Sequence, residues 1–314
     1  MEMTRKLKER FCKDMNIPIS MFDEPYFTDR LKLYDKQFET LKKYSKFMKL
    51  LEGFDSEQDY FGYYNKLKDE IINYLGESEG MNRFKEEDMN KYQVKNVGFP
   101  SKDIFKPSFS DRVFLSVDMK KANFTALKHY SKDIVGGQDT YEEFIGMFTE
   151  SEYLKSSKYI RQVVFGNQSP KRQITYEKHL MDELLTKILE FVDKELVVFF
   201  SNDEIVLDMT ENYSGNDIAG YTKKIDTLLY HESANEGVNF RQELFLLKHI
   251  PGVGYIKSFI NKPGVEFKCI DSVIMPFVLR KFQGEVVQES DKVFYANDGR
   301  KAMLLDIPEI VIEV

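Results

Sequence analysis

Two aspartates stand where apolar strands would end. Asp118 closes the run Val113-Phe114-Leu115-Ser116-Val117, and Asp203 lies between two further apolar runs, residues 196–201 and 205–209, in a turn made of Asn202, Asp203 and Glu204. On neighbouring strands of one sheet the two carboxylates would emerge at a single rim. Like charges held together resist joint ionisation unless a cation offsets them. Hard Mg²⁺, or Mn²⁺ in its place, suits an oxygen-only donor set completed by substrate phosphates. Two such ions about 3.5–4 Å apart clamp the attacking and leaving oxygens of an in-line phosphoryl displacement. Each acid alone also reads as an ordinary strand end or turn residue, where Asp is common.

The segment between the two acids is basic. Residues 151–165 read as one helix carrying Lys158 and Arg161 at i and i+3, with Lys155 one turn earlier. From residue 151 to 176 five basic residues (Lys155, Lys158, Arg161, Lys171 and Arg172) face the single acid Glu152, in a chain whose formal net charge is -7. That reversal marks a polyphosphate-binding face or, more simply, a solvated helix surface.

The elements that must position these residues follow from periodicity. Phe38, Leu41, Tyr44, Phe47, Met48 and Leu51 recur at helical spacing, Pro18 and Pro25 separate an earlier helix, and Phe61, Tyr64, Leu67, Ile71 and Leu75 continue the pattern to Gly76. Residues 77–107 read as a surface connector punctuated by Gly98, Pro100 and Pro107. Beyond them come a strand at 112–118 and helices at 121–130, 139–148 (capped by Asp139 or Thr140), 151–165 and 173–194. A tight hairpin of 196–201 and 205–209 follows, then a helix at 216–230, an alternating pair 238–250 and 255–260, a strand at 264–270 and a helix at 271–282. That order predicts an α+β fold, an antiparallel sheet with helices on one face. The turn Pro251-Gly252-Val253-Gly254 resembles a helix-hairpin-helix loop, but its period-two flanks favour a β-turn.

Three stretches carry a resemblance. Ser116-Val117-Asp118-Met119-Lys120-Lys121-Ala122-Asn123-Phe124, then Arg161-Gln162-Val163-Val164-Phe165-Gly166, then Asn202-Asp203-Glu204 with Ile205-Val206-Leu207 resemble, in order, motifs A, B and C of family A DNA polymerases. Asn202 stands where that family has His, Arg161 where Lys is usual, Asn123 where a Glu packs under the sugar, and Ser169-Pro170 where Tyr-Gly closes motif B. The interval 161–203 is short for that family, and residues 1–117 leave no room for an exonuclease domain. A compact palm of this kind is also compatible with a reverse-transcriptase-like protein, residues 216–260 then taking the primer-gripping part.

The resemblance implies a right-hand polymerase-like palm at 108–314, with reduced fingers at about 139–194 and a β-rich extension at about 236–314. Residues 1–107 would be a helical thumb or template support. It further implies that Asp118 and Asp203 ligate Mg²⁺, with Glu204 as a supporting acid or a partner for the primer end. Lys158 and Arg161 would neutralise the triphosphate, Phe165 would stack on the incoming base or sugar, and Asn123 would line the 2′ position. The implied reaction is attack of a 3′-hydroxyl on the α-phosphate of a nucleoside triphosphate, with primer-template nucleic acid and accessory replication or virion proteins as partners. One rival is a catalytically inactive palm serving as a nucleic-acid-binding or assembly subunit of a viral or phage complex; another is an unrelated α+β interaction protein.

Composition bounds the rest. With 45 Lys+Arg against 52 Asp+Glu the chain is no wholly basic nucleic-acid coat, although the first fifty residues hold 12 basic against 8 acidic side chains. Twenty-six Phe and 18 Tyr exclude a disordered chain. No run approaches the roughly 20 apolar residues of a membrane span, and the charged first residues do not read as a secretory signal, so a cytoplasmic location and no membrane partner are expected. Cys12 and Cys269 lack metal-type or disulfide spacing, the four His are scattered, and no serine-nucleophile, phosphate-loop or dinucleotide motif occurs.

Overall fold

The computed structural model describes residues 2–212 and 217–312. Its N-terminal third is helical. Helix α1 (Arg5–Met15) starts at Thr4, whose hydroxyl accepts from the Leu7 N–H, and stops at Asn16 in the left-handed conformation. Helices α2 (Tyr26–Phe38), α3 (Thr40–Leu51) and α4 (Glu57–Glu77) follow, α4 capped by Ser56. Within α3 Thr40, Phe47 and Leu51 are buried, while Leu41 is exposed.

The stretch 77–107 is more than the connector its composition suggests. It contains α5 (Glu79–Glu86), capped by Ser78, with Met81 and Phe84 fully buried. Eight residues with only three inward positions give too little periodicity to stand out from the flanking Lys, Asn and Glu. Farther on, the backbone N–H groups of Lys95 and Asn96 both donate to the buried Asp182 carboxylate, at 2.8 and 2.9 Å.

Strand β1 (Arg112–Met119) opens the second part, followed by α6 (Ala122–Tyr130), α7 (Tyr141–Gly146), α8 (Glu152–Lys155), α9 (Lys158–Gly166) and α10 (Pro170–Ile188). Thr140, not Asp139, caps α7, in a capping box with Glu143. The single helix expected over 151–165 is two, because the Ser157 side chain caps a fresh start at Ile160 N–H. Lys155 therefore does not share a helix face with Lys158; it pairs with Glu152 at 3.1 Å. Next come β2 (Val197–Phe200), β3 (Glu204–Asp208), α11 (Asp217–Glu236), β4 (Phe240–Ile250), β5 (Gly254–Phe259), β6 (Val265–Lys268) and α12 (Met275–Gln283). Asn216, expected to open the α11 helix, lies outside the described residues. A small ribbon of β7 (Val293–Tyr295) and β8 (Lys301–Met303) was not anticipated; its three-residue strands are too short for period two to show.

The fold is α+β, with one six-stranded antiparallel sheet ordered β2-β3-β1-β4-β5-β6. The first four strands, joined through the α6–α10 block, a hairpin and α11, form a split β-α-β-β-α-β arrangement. Alternation sorts the side chains. Val113, Leu115, Val117 and Met119 of β1 join the helices in a core that also takes in Leu7, Phe47, Tyr60 and Ile71 of the N-terminal third. This core is continuous across residue 107. On the other face Phe114, Val206, Phe245 and Leu247 are covered by Ile104, Phe105 and Phe109, and the end of that face near Asp118 is polar. The Pro251–Gly254 segment is a turn between β4 and β5, as its flanks require.

Candidate functional site

Strand order brings the two aspartates together. In this topology β1 and β2 run parallel with β3 between them, so the C-terminal end of β1 and the tip of the β2–β3 hairpin share one rim. The Met119 N–H donates to the Asp203 carbonyl at 2.8 Å, and Asp118 stands in register with Glu204 on β3 and with Arg241 on β4. Ser201 organises the tip. Its hydroxyl donates to Asp203 Oδ1 (2.9 Å) and accepts from the Glu204 N–H (2.9 Å). From α10, Lys178 Nζ donates to the Phe200 and Ser201 carbonyls, both at 3.1 Å, fixing the hairpin beneath the helix.

The site is acidic and desolvated. Burial pushes the Glu204 carboxyl up to about 7; Lys257 opposes this, and Asp118 and Asp203 add to it. Burial likewise raises Asp118, against the pull of Arg241, whose Nε lies 2.8 Å from Asp118 Oδ2; the field of Asp203 raises it further. Glu177 of α10 is a fourth acid. It is 3% exposed and burial holds it at about 7; Asn202 Nδ2 donates to its Oε2 at 2.8 Å, while its buried Oε1 has no partner.

A cation-rich network adjoins these acids. Glu243, two residues along β4 from Arg241, accepts from Lys257 (2.6 Å) and Lys262 (2.7 Å), with Arg241 at 3.6 Å. Those hydrogen bonds and charges overcome burial and hold its carboxyl at about 2. The cleft at this rim, of about 510 Å³, is lined by Asp118, Glu204, Arg241, Glu243 and Lys257, by residues 265–268 of β6, and by Lys43 and Lys158.

The remaining expected residues divide. Lys158 lines the cleft, at the first position of α9. Arg161 lies next to it electrostatically, but its guanidinium sits over the Tyr141 ring, 5.6 Å from the centroid. Phe165 is fully buried, packed against Phe124, Tyr141 and Phe144, and serves the core; it offers no face to a base or sugar. Its place in the helix stripe makes it core, whatever a motif alignment suggests. Asn123 donates to Gln173 Oε1 at 3.2 Å, and Gln173 Nε2 donates in turn to the Phe165 and Gln168 carbonyls. Asn123 thus ties α6 to α10, and through Gln173 to the end of α9, and is absent from the cleft lining.

No protein-family model, curated protein or solved structure matches the chain.

Sequence reasoning passed over Glu177, Arg241, Glu243 and Lys257. The signals were present: Glu177 falls in the apolar stripe Gln173-Tyr176-Leu180-Leu184 and Glu243 shares the parity of Phe245 and Leu247, so both are charged residues in inward positions, while Arg241, on the same face of β4, is exposed at its end. Among the described residues no group of three or more His, Cys, Asp or Glu is arranged to hold a metal by itself. Asp118 and Glu204 line the cleft whereas Asp203 does not, and Arg241 already pairs with Asp118; the oxygen donors of Asp118 and Asp203 would suit a hard divalent ion that draws its other ligands from substrate phosphates and water.

Proposed function

We propose that this chain is a template-directed nucleotidyltransferase with a right-hand palm. The observation that carries the reading is the convergence of Asp118, at the end of β1, with Asp203, at the tip of the neighbouring hairpin, on a sheet ordered β2-β3-β1-β4. Asp118 and Asp203 are the residues that would hold Mg²⁺, which when bound supplies charge neutralisation for an in-line displacement at phosphorus. Ser201 keeps the Asp203 carboxylate turned toward the hairpin backbone, and the Met119–Asp203 bond sets the spacing of the two acids. Lys158 places positive charge where the triphosphate would lie, the form of stabilisation that dominates phosphoryl transfer. Arg161 joins it only by leaving Tyr141.

The Arg241–Asp118 ion pair favours a second reading, a palm retained for nucleic-acid binding without catalysis. An internal cation already answers the charge that a metal would otherwise balance. Primer extension separates the two. Purified protein is incubated with primed and unprimed DNA and RNA templates, labelled nucleotides and Mg²⁺ or Mn²⁺. Extension of a primed template is the expected outcome; nucleic-acid binding without incorporation on every template supports the second reading.

A further inference from the structure

We propose that Lys43 of α3 and Lys158 of α9 form a polyphosphate-binding pair in the cleft that holds Asp118 and Glu204. This deepens the reading above by naming the group that receives the triphosphate tail, and it brings the N-terminal helices into the substrate site.

A single cavity holds more cations than its acids can pair. The cleft is lined by the cations Lys43, Lys158, Arg241, Lys257 and Lys268 and the acids Asp118, Glu204, Glu243 and Glu266. Three pairs cancel: Arg241 with Asp118 at 2.8 Å, Lys257 with Glu243 at 2.6 Å and Lys268 with Glu266 at 2.9 Å. Lys43, Lys158 and the acid Glu204 are left, so the cations outnumber the acids by one, and among the described residues neither lysine has a carboxylate within ion-pair distance. Both are half-buried, so water answers them only in part. Burial lowers the pKa of each ammonium; Arg161, Lys268 and Arg241 push Lys158 further down, while Glu266 opposes this at Lys158 and Glu39 at Lys43. Half-buried cations that lack an ion-pair partner and line one cavity are relieved by an anion of several charges, and a triphosphate is one. A cavity of about 510 Å³ lies within the range of ligand pockets. Phe38, half-buried with its ring on Tyr34 at 5.7 Å, and the amides of Asn16 and Gln37 line the same cavity and suit a base or sugar beyond the phosphates.

Lys158 is rigidly presented. Ser157 caps its helix and also donates to Asp14 of α1 at 3.1 Å, so the ammonium starts from a fixed backbone.

The test is calorimetric titration with inorganic tripolyphosphate in metal-free buffer, repeated with a nucleoside triphosphate and with the nucleoside alone. Wild type, Lys43→Gln, Lys158→Gln and the surface control Lys46→Gln are compared, each first shown to be folded by circular dichroism. Tripolyphosphate is expected to bind the wild type and the control alike and each cleft variant at least about tenfold more weakly, the usual cost of losing a charged hydrogen-bond donor. Tighter binding of the nucleoside triphosphate than of tripolyphosphate assigns the occupant as a nucleotide; equal binding assigns a free polyphosphate. Absence of binding to the wild type, or equal weakening in the control, overturns the proposal. The outcome is independent of catalysis. Binding without incorporation leaves the site standing and removes the polymerase reading, whereas incorporation with an unchanged nucleotide KM in Lys43→Gln does the reverse.

Discussion

At the residue scale, the rim is built from acids whose environments push them in opposite directions. Glu177 has a folded-state pKa near 7 against an ordinary 4.5, so the folded state favours its proton. The stability associated with that proton is complete below about 4.5 and is lost as the pH rises through about 7. Glu177→Gln keeps the shape and the acceptor for Asn202. It should therefore gain up to about 3 kcal/mol over wild type at pH 8 and differ little at pH 4.5, as read from denaturant melts at the two pH values. Glu243 is the opposite case. Its carboxyl is held at about 2, so its contribution is present above about 4.5 and disappears as the pH falls through about 2. Glu243→Gln should cost about 3 kcal/mol at pH 7, leaving Lys257 buried without its partner, and the deficit should shrink steadily below pH 4. A deficit that persists at pH 2.5 would show that packing, not charge, holds that position.

At the element scale, the site depends on a helix that the sheet does not hold. Helix α9 carries Lys158, and its first turn is fixed by the fully buried Asp14 of α1. Tyr64 (2.7 Å), Tyr153 (3.1 Å) and Ser157 (3.1 Å) donate to that carboxylate, and Arg10 Nε lies at 3.2 Å. Burial raises Asp14, while Arg10 and the hydroxyl donors oppose it. Asp14→Ala should destabilise the protein by about 3–5 kcal/mol, the range for breaking a buried charge pair, since it removes the ion-pair partner of Arg10 and the acceptor of three hydroxyls. Thermal melting measures the loss. Ser157→Ala, which removes only the cap and one donor, should cost about 1 kcal/mol.

The same scale shows what the sequence disclosed. The strands ending in Asp118 and surrounding Asp203 were legible because long apolar runs bounded by turn residues have one simple reading. The split between α8 and α9 was not, since Ser156-Ser157 interrupts no apolar stripe, and the Ser157 cap on the Ile160 N–H is held in place by a hydrogen bond to Asp14, more than a hundred residues away. Phe165 was misread through its motif position, although its helical spacing already pointed inward. Arg241 and Glu243 were visible as charges at the parity of Phe245 and Leu247, but that Arg241 would meet Asp118 and Glu243 the lysines of β5 and its flank depends on β4 lying between β1 and β5, a pairing that local pattern does not specify.

At the scale of the whole molecule, one core links the N-terminal helices to the sheet, and the cleft opens where these parts meet. No helix among the described residues is long and apolar enough to cross a membrane. On the proposed function Asp118 and Asp203 act as one metal-dependent pair, and the most direct test is Asp203→Asn in primer extension run beside thermal melting with and without Mg²⁺. The substitution keeps the side chain's volume and turn preference while removing one ligating charge. Wild type should extend a primed template and gain stability with Mg²⁺, about 2.7 kcal/mol at a hundredfold excess over Kd. The variant should fold and bind nucleic acid as wild type does, lose incorporation by several orders of magnitude and lose most of the Mg²⁺ stabilisation. A variant that extends primers as fast as an active wild type, or a wild type that Mg²⁺ neither activates nor stabilises, would contradict the account.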